Sequence, residues 1–137
     1  MKRDYIIREL IVDGYERWIC LEHDELKKII WAHYIDQDYI ESNVSIILEK
    51  YKVVEGELSV DFVLNYEKTD DIGFEQPIAN SSHIVAHAKV MGILDDFSVV
   101  CQIDGFLDLM KVEFEKKVEL KIGQNIKIKG SLEIEIL

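Results

Sequence analysis

The chain has 137 residues, 48% of them apolar, with 27 acidic against 16 basic side chains and a net charge of −11. That apolar content excludes a disordered chain and supplies one globular core, while the charge repels phosphate backbones and attracts basic partners. No run approaches the roughly 20 apolar residues that cross a bilayer, so no membrane partner is expected.

The opening MKRDYIIRELIVDG is charged at both ends and has no small-residue cleavage site, unlike a signal peptide. Tyr5–Val12 and Tyr15–Leu21 read as two strands joined at Asp13-Gly14, a favoured hairpin turn. The pair buries some of Ile7, Ile11, Trp18 and Cys20. Both Cys20 and Cys101 sit in apolar strand-like runs, as reduced buried thiols do, which with the missing signal peptide points to a bacterial-type cytoplasmic protein.

Asp24 followed by ELKKIIWAHYI offers an N-cap and a stripe of Leu26, Ile29, Ile30 and His33, which favours a helix over 25–35. A strand carrying Ile29, Trp31, His33 and Ile35 on one face fits the same residues. The run IDQDYIESN reads as a turn with Asp36, Asp38 and Glu41 exposed. Val44–Val54 reads as a strand ended by a Glu55-Gly56 turn, and Leu58, Val60, Phe62, Leu64 and Tyr66 alternate as the next. Residues Lys68–Ser82 hold the only proline and several turn formers; a connection of that length is often functional or mobile.

From His83 a period of two dominates. Ile84, Ala86, Ala88, Val90 and Leu94 share one side, then Val99, Cys101 and Ile103, Val112 and Phe114, Val118, Leu120 and Ile122, Ile126 and Ile128, and Leu132, Ile134 and Ile136. Asp95-Asp96 turns the chain between 83–94 and 97–104, and a further strand covers 110–115. These elements predict a mainly β fold, α+β at the margin: an antiparallel curled sheet or small barrel with an N-terminal hairpin and one short helix. A single domain over 1–137 is expected, with an N-terminal layer at 1–67, a long loop at 68–82 and the alternating sheet at 83–137.

The closing run KIGQNIKIKGSLEIEIL contains Gly123-Gln124-Asn125-Ile126-Lys127-Ile128-Lys129-Gly130 ahead of a last alternating strand. About the last 55 residues thereby resemble the final strands of the oligonucleotide/oligosaccharide-binding (OB) barrel. The helix usual between that barrel's third and fourth strands has no room between Glu115 and Gly123. The resemblance implies a ligand-binding sheet face, here the outward Lys89, Lys111, Lys127 and Lys129, for single-stranded nucleic acid or an oligosaccharide. Glu113, Glu115, Glu133 and Glu135 alternate with those lysines and oppose a nucleic-acid partner.

No motif names a chemistry, and no cofactor is called for. His83 and His87 share a strand face and are the candidates for a metal, lacking closing ligands at a recognisable spacing. Ser81-Ser82-His83 has neither a nucleophile elbow nor a placed acid, so it reads as turn residues before a strand. A non-enzyme is therefore expected. Between Thr69 and Met110 the only lysine or arginine is Lys89, among Asp70, Asp71, Glu75, Asp95, Asp96, Asp104 and Asp108. This is either plain solubilising acidity or a docking surface for a basic protein. Docking would use Asp70, Asp71, Asp95, Asp96 and Asp104, with Phe74 and Phe97 as apolar anchors. In size, acidity and poverty of motifs the chain is similar to the small acidic immunity proteins that neutralise nuclease-type toxins in bacteria, which implies a basic enzyme as the partner.

Overall fold

A computed structural model describes residues 2–23, 28–42 and 48–137. The described residues form ten strands and one short helix, all the strands belonging to one curled sheet. Strands β1 (Arg3–Asp13), β2 (Glu16–His23) and β3 (Ile29–Ile35) make an antiparallel meander. Helix α1 (Gln37–Ser42) follows, then β4 (Val53–Val63), β5 (Tyr66–Lys68) and the two-residue β6 (Phe74–Glu75). Strands β7 (His83–Ile93), β8 (Ser98–Ile103) and β9 (Leu109–Phe114) form a second antiparallel meander, and β10 (Asn125–Ile136) is the last strand along the chain.

Strand β10 organises the rest. Its first half, Asn125–Ser131, pairs with β7 on one edge and, over Ile126–Ile128, with β5 on the other. Its second half, Leu132–Ile136, pairs with β4, and Glu133 meets His33 of β3 in a one-residue parallel bridge. Since β4 also pairs with β9, the strands β4, β10, β7, β8 and β9 form a closed circuit. A second circuit runs through β1, β2, β3, β10 and β4, closed by that single β3–β10 bridge. The inward residues of both make one continuous core, including Ile7, Ile19, Leu21 and Ile30 from the first meander and Ile84, Val90, Ile103, Ile126, Ile128 and Leu132 from the second half.

The first hairpin forms, with its turn one residue later than expected: Asp13 stands opposite Glu16 and Gly14 has φ 60°, so that Gly14-Tyr15, not Asp13-Gly14, are the two loop residues. Several expectations are corrected. Residues 29–35 are a strand: every one pairs with β2, and Ile30, Ala32 and Tyr34 alternate into the core, so cross-strand burial overrides helical spacing. Asp24–Lys27, the start of the expected helix, lie outside the described residues. The one short helix sits instead at Gln37–Ser42, where a turn was expected, and Asp36 is fully buried as its N-cap, Oδ1 accepting from the Tyr39 amide at 3.0 Å.

Of the strand expected at Val44–Val54, residues 44–47 fall outside the described residues and 48–52 form a turn. Strand β4 begins at Val53 and runs straight through Glu55-Gly56, where a turn was expected. Gly56 serves close packing there, because the Ile134 side chain occupies the space that a Cβ would take. Gly130 likewise does not separate two strands; β10 passes through it, and the Asp61 carbonyl and Val63 side chain press on its missing Cβ. Val118, Leu120 and Ile122 form no strand, since the segment 115–124 has no strand to pair with. It crosses the end of the β7–β8 hairpin, held by the Val118 amide on the Asp96 carbonyl and the Gly123 amide on that of Val90.

Candidate functional site

The long connection after β5 is pinned rather than loose. The Thr69 amide donates to the Asn125 carbonyl, β6 pairs with Val85 and Ala86, and the Gln76 side-chain amide exchanges two hydrogen bonds with the Trp31 backbone, at 2.8 and 2.7 Å. These ties set Gly73 and Phe74 beside the turn after β8. There Asp104 accepts from the Gly73 amide at 2.7 Å, and its other oxygen lies 3.0 Å from His87 Nδ1. That approach is off-line for a hydrogen bond, so it is a charge contact when the ring is protonated; His87 Nε2 meets Asn125 Oδ1 at 2.9 Å. Burial pushes the Asp104 carboxyl up, but His87, the Gly73 amide and the charge of Lys28 outweigh it and hold it below the usual carboxylate range.

The same turn carries an aromatic pair. Phe74 and Phe106 meet edge to face with centroids 5.0 Å apart. The Lys28 ammonium sits 4.0 Å from one ring centroid and 4.4 Å from the other, and donates to the Gly105 carbonyl at 3.3 Å. Burial lowers its basicity, with Asp104 opposing. Gly105 has φ 88°, and a Cβ there would collide with the ammonium. Two of the seven candidate docking residues, Phe74 and Asp104, thus meet at a place that already holds a cation, with Asp70 and Asp71 a few residues before Phe74 on the same connection.

Asp95, Asp96 and Phe97 do not join them, because they occupy the opposite end of the β7–β8 hairpin. Asp95 accepts from the Phe97 amide and the Ser98 hydroxyl at 2.8 Å each, and these bonds hold its carboxyl below the usual range. Asp96 faces Lys117 at 3.4 Å.

A groove of about 570 Å³ crosses the outer side of β10. Phe62, Leu64, Asn65 and Tyr66 form one wall, Ser81–His83 the other, and Lys127, Lys129, Gly130 and Ser131 the floor. The wall exists because β4 bulges between Val60 and Val63, with Phe62 at φ 61°, a conformation rare for a phenylalanine. The bulge turns Phe62 and Leu64 outward, leaving them 59% and 61% exposed. Strict alternation placed them with Leu58 and Val60, so the sequence pattern hid them. Among the described residues Lys127 and Lys129 make no ion pair, although Lys127 stands opposite Glu67. Lys89 is exposed on the same outer face, opposite Asn125, whereas Lys111 lies on β9 with Glu113 4.0 Å away. His83 lies in the groove and His87 beyond it. An offset of four strand positions sets them about 13 Å apart, too far to share one ion, and no metal-holding group of His, Cys, Asp and Glu occurs among the described residues.

Past Ser131 the outer face of β10 turns acidic. Ser131 donates to Glu133 at 2.8 Å and accepts from the Ser82 hydroxyl at 2.7 Å. Glu133 also bonds His33 Nδ1 at 2.7 Å, while His33 Nε2 meets Glu16 at 3.1 Å. Burial raises the Glu133 and Asp61 carboxyls, and Glu113 adds to the shift at Asp61. His33 is buried and ties β2, β3 and β10 together. No protein-family model matches the chain, and no curated protein matches it.

Proposed function

We propose that this is a non-catalytic acidic binding protein that docks on a basic protein partner through the loop cluster of residues 70–75 and 104–106. One observation carries the reading: a pair of phenylalanines with Asp104 beside them already accommodates an ammonium there. Asp70 and Asp71 supply long-range attraction, and Phe74 is the buried-edge anchor. Asp95, Asp96 and Phe97 belong to a separate surface. A basic enzyme neutralised by occlusion, as the likeness to immunity proteins implies, is the form of partner that fits. The test is association with a fluorescent octa-lysine peptide across salt concentrations. The variant D70N/D71N should slow association and flatten its salt dependence; unchanged on-rates at low salt would sink this docking site.

A second reading, an OB-type face binding single-stranded nucleic acid or an oligosaccharide, is favoured by the groove across β10, where uncommitted lysines 127 and 129 lie beside an exposed phenylalanine. Titration with mixed single-stranded oligonucleotides at low salt decides it. Saturable binding that K127A/K129A removes supports it, and no binding there eliminates the nucleic-acid form.

A further inference from the structure

The Lys28 ammonium has an unusual place in the fold. Lys28 immediately precedes β3 and its carbonyl accepts from the His23 amide, so its backbone belongs to the first meander. Its side chain crosses to loops of the other half, where two ring faces, a carbonyl oxygen and the nearby Asp104 charge surround the ammonium. Gly105 is exposed, so the corner opens to solvent, and its lack of a Cβ makes room for a cation. Cations over aromatic faces gain electrostatic attraction from the ring quadrupole, more so as water is excluded. The corner has the size and polarity of an alkylammonium site, and the chain fills it with one of its own lysines.

We propose that the corner between Phe74 and Phe106 recognises a lysine side chain of a basic protein partner, and that Lys28 fills it in the free protein as a resident stand-in. The proposal rests on the docking reading above, to which it adds the chemistry of the anchor and an order of events. The partner's ammonium displaces that of Lys28, which swings into water as the incoming lysine takes the ring faces and the Gly105 carbonyl. Exchange of one ammonium for another leaves the charge within the corner unchanged, so affinity comes from the surrounding acidic loops and selectivity from the corner. A trimethylated lysine gains most, since the rings hold it without the hydrogen bond that Lys28 makes to Gly105.

The experiment compares two pentapeptides on the full chain: Gly-Arg-X-Arg-Gly with trimethyl-lysine at X, and the same peptide with norleucine there. In wild type the trimethyl-lysine peptide should bind about threefold tighter, because its ammonium displaces that of Lys28 and the competing lysine holds the preference down. Equal binding of the two to wild type would overturn the displacement. In K28A the trimethyl-lysine peptide should bind at least tenfold tighter than the norleucine one, and K28A/F106A should lose that preference. Lys28→Gln keeps the side chain's length and is the substitute if K28A unfolds. No preference in the folded K28A or Lys28→Gln protein overturns the site, as does a preference that survives F106A. The result separates from the docking reading. Loss of salt-dependent binding by both peptides would count against the acidic loops, whereas equal binding of both to K28A would count against the corner alone.

Discussion

Replacing Asp36 by alanine should cost about 3–5 kcal/mol, more than any other single carboxylate among the described residues. Asp36 is 0% exposed, and its Oδ2 lies 3.5 Å from a guanidinium nitrogen of Arg17, itself 4% exposed. Its Oδ1 caps α1 at the Tyr39 amide. Loss of a cap is worth about 1 kcal/mol. Removing one member of a buried ion pair costs about 3–5 kcal/mol, because the remaining charge keeps its desolvation penalty. Arg17 retains the Gly14 and Glu16 carbonyls and the Tyr39 ring face at 5.6 Å, which sets the combined loss within that range rather than above it. Urea unfolding followed by the fluorescence of Trp18 and Trp31 reads the change, since both tryptophans lie on the strands that flank this pair. With a slope of about 2 kcal/mol per molar, the midpoint should fall by about 2 M. Asp36→Asn keeps the cap oxygen and should cost less, and R17M/D36A should cost less than the sum of its two single changes. A loss below about 1 kcal/mol for Asp36→Ala, or strict additivity in the double variant, would refute the ion-pair account.

Gly130→Ala should lower stability by about 1–3 kcal/mol, because the new methyl would stand 2.8 Å from the Asp61 carbonyl oxygen, and backbone yields less readily than a side chain; an unchanged Tm would contradict the close packing of the bulge on β10. Burial holds the Cys101 thiol at about 12 and also raises Cys20, so iodoacetamide at pH 8 should label neither in the folded protein and both after denaturation. Rapid labelling of the native chain would be inconsistent with that burial. The Tyr5 phenol is pushed up to about 12 by burial and by Asp108, from 10.0 in the open chain. Folding therefore favours its neutral form, and its contribution is complete below pH 10 and declines between pH 10 and 12, by on the order of 2–3 kcal/mol. Urea midpoints at pH 9 and 11 should show this decline, steepened by Cys101, and Tyr5→Phe should flatten it. An identical alkaline limb in Tyr5→Phe would remove Tyr5 as a cause.

Where each strand buries one regular face, the sequence was a good guide. Ile84, Ala86, Ala88 and Val90 alternate without interruption, and β7, β8 and β9 lie where the pattern puts them. The first hairpin was legible from Asp13-Gly14 for the same local reason. What escaped depends on partners distant in the chain. Leu26, Ile29, Ile30 and His33 suit a helix stripe, and that Ile30, Ala32 and Tyr34 are the inward face of a strand shows only once β2 is there to pair with them. Asp36 looks like turn chemistry because its counter-ion is 19 residues away. Gly56 and Gly130 look like punctuation, since a glycine that ends a strand and one that admits a neighbouring backbone or side chain read alike. The candidate site divided along this line. Asp70, Asp71 and Phe74 were legible as an acidic, aromatic loop. Lys28 and Phe106 were not, because only the folded chain brings them to it, and a single bulge was enough to conceal the exposure of Phe62 and Leu64.

The shared pair β4 and β10 has a kinetic corollary. Neither circuit closes without both, and β10 must find β3 and β4, whose paired residues lie roughly 70 to 100 positions earlier in the sequence. Such non-local pairing places folding on the millisecond-to-second scale typical of barrel-like β proteins. It also binds the two halves into one cooperative unit: when β10 peels away, both cores open to water together, and a half-folded molecule would bare the unpaired edges of the other half to any neighbouring strand.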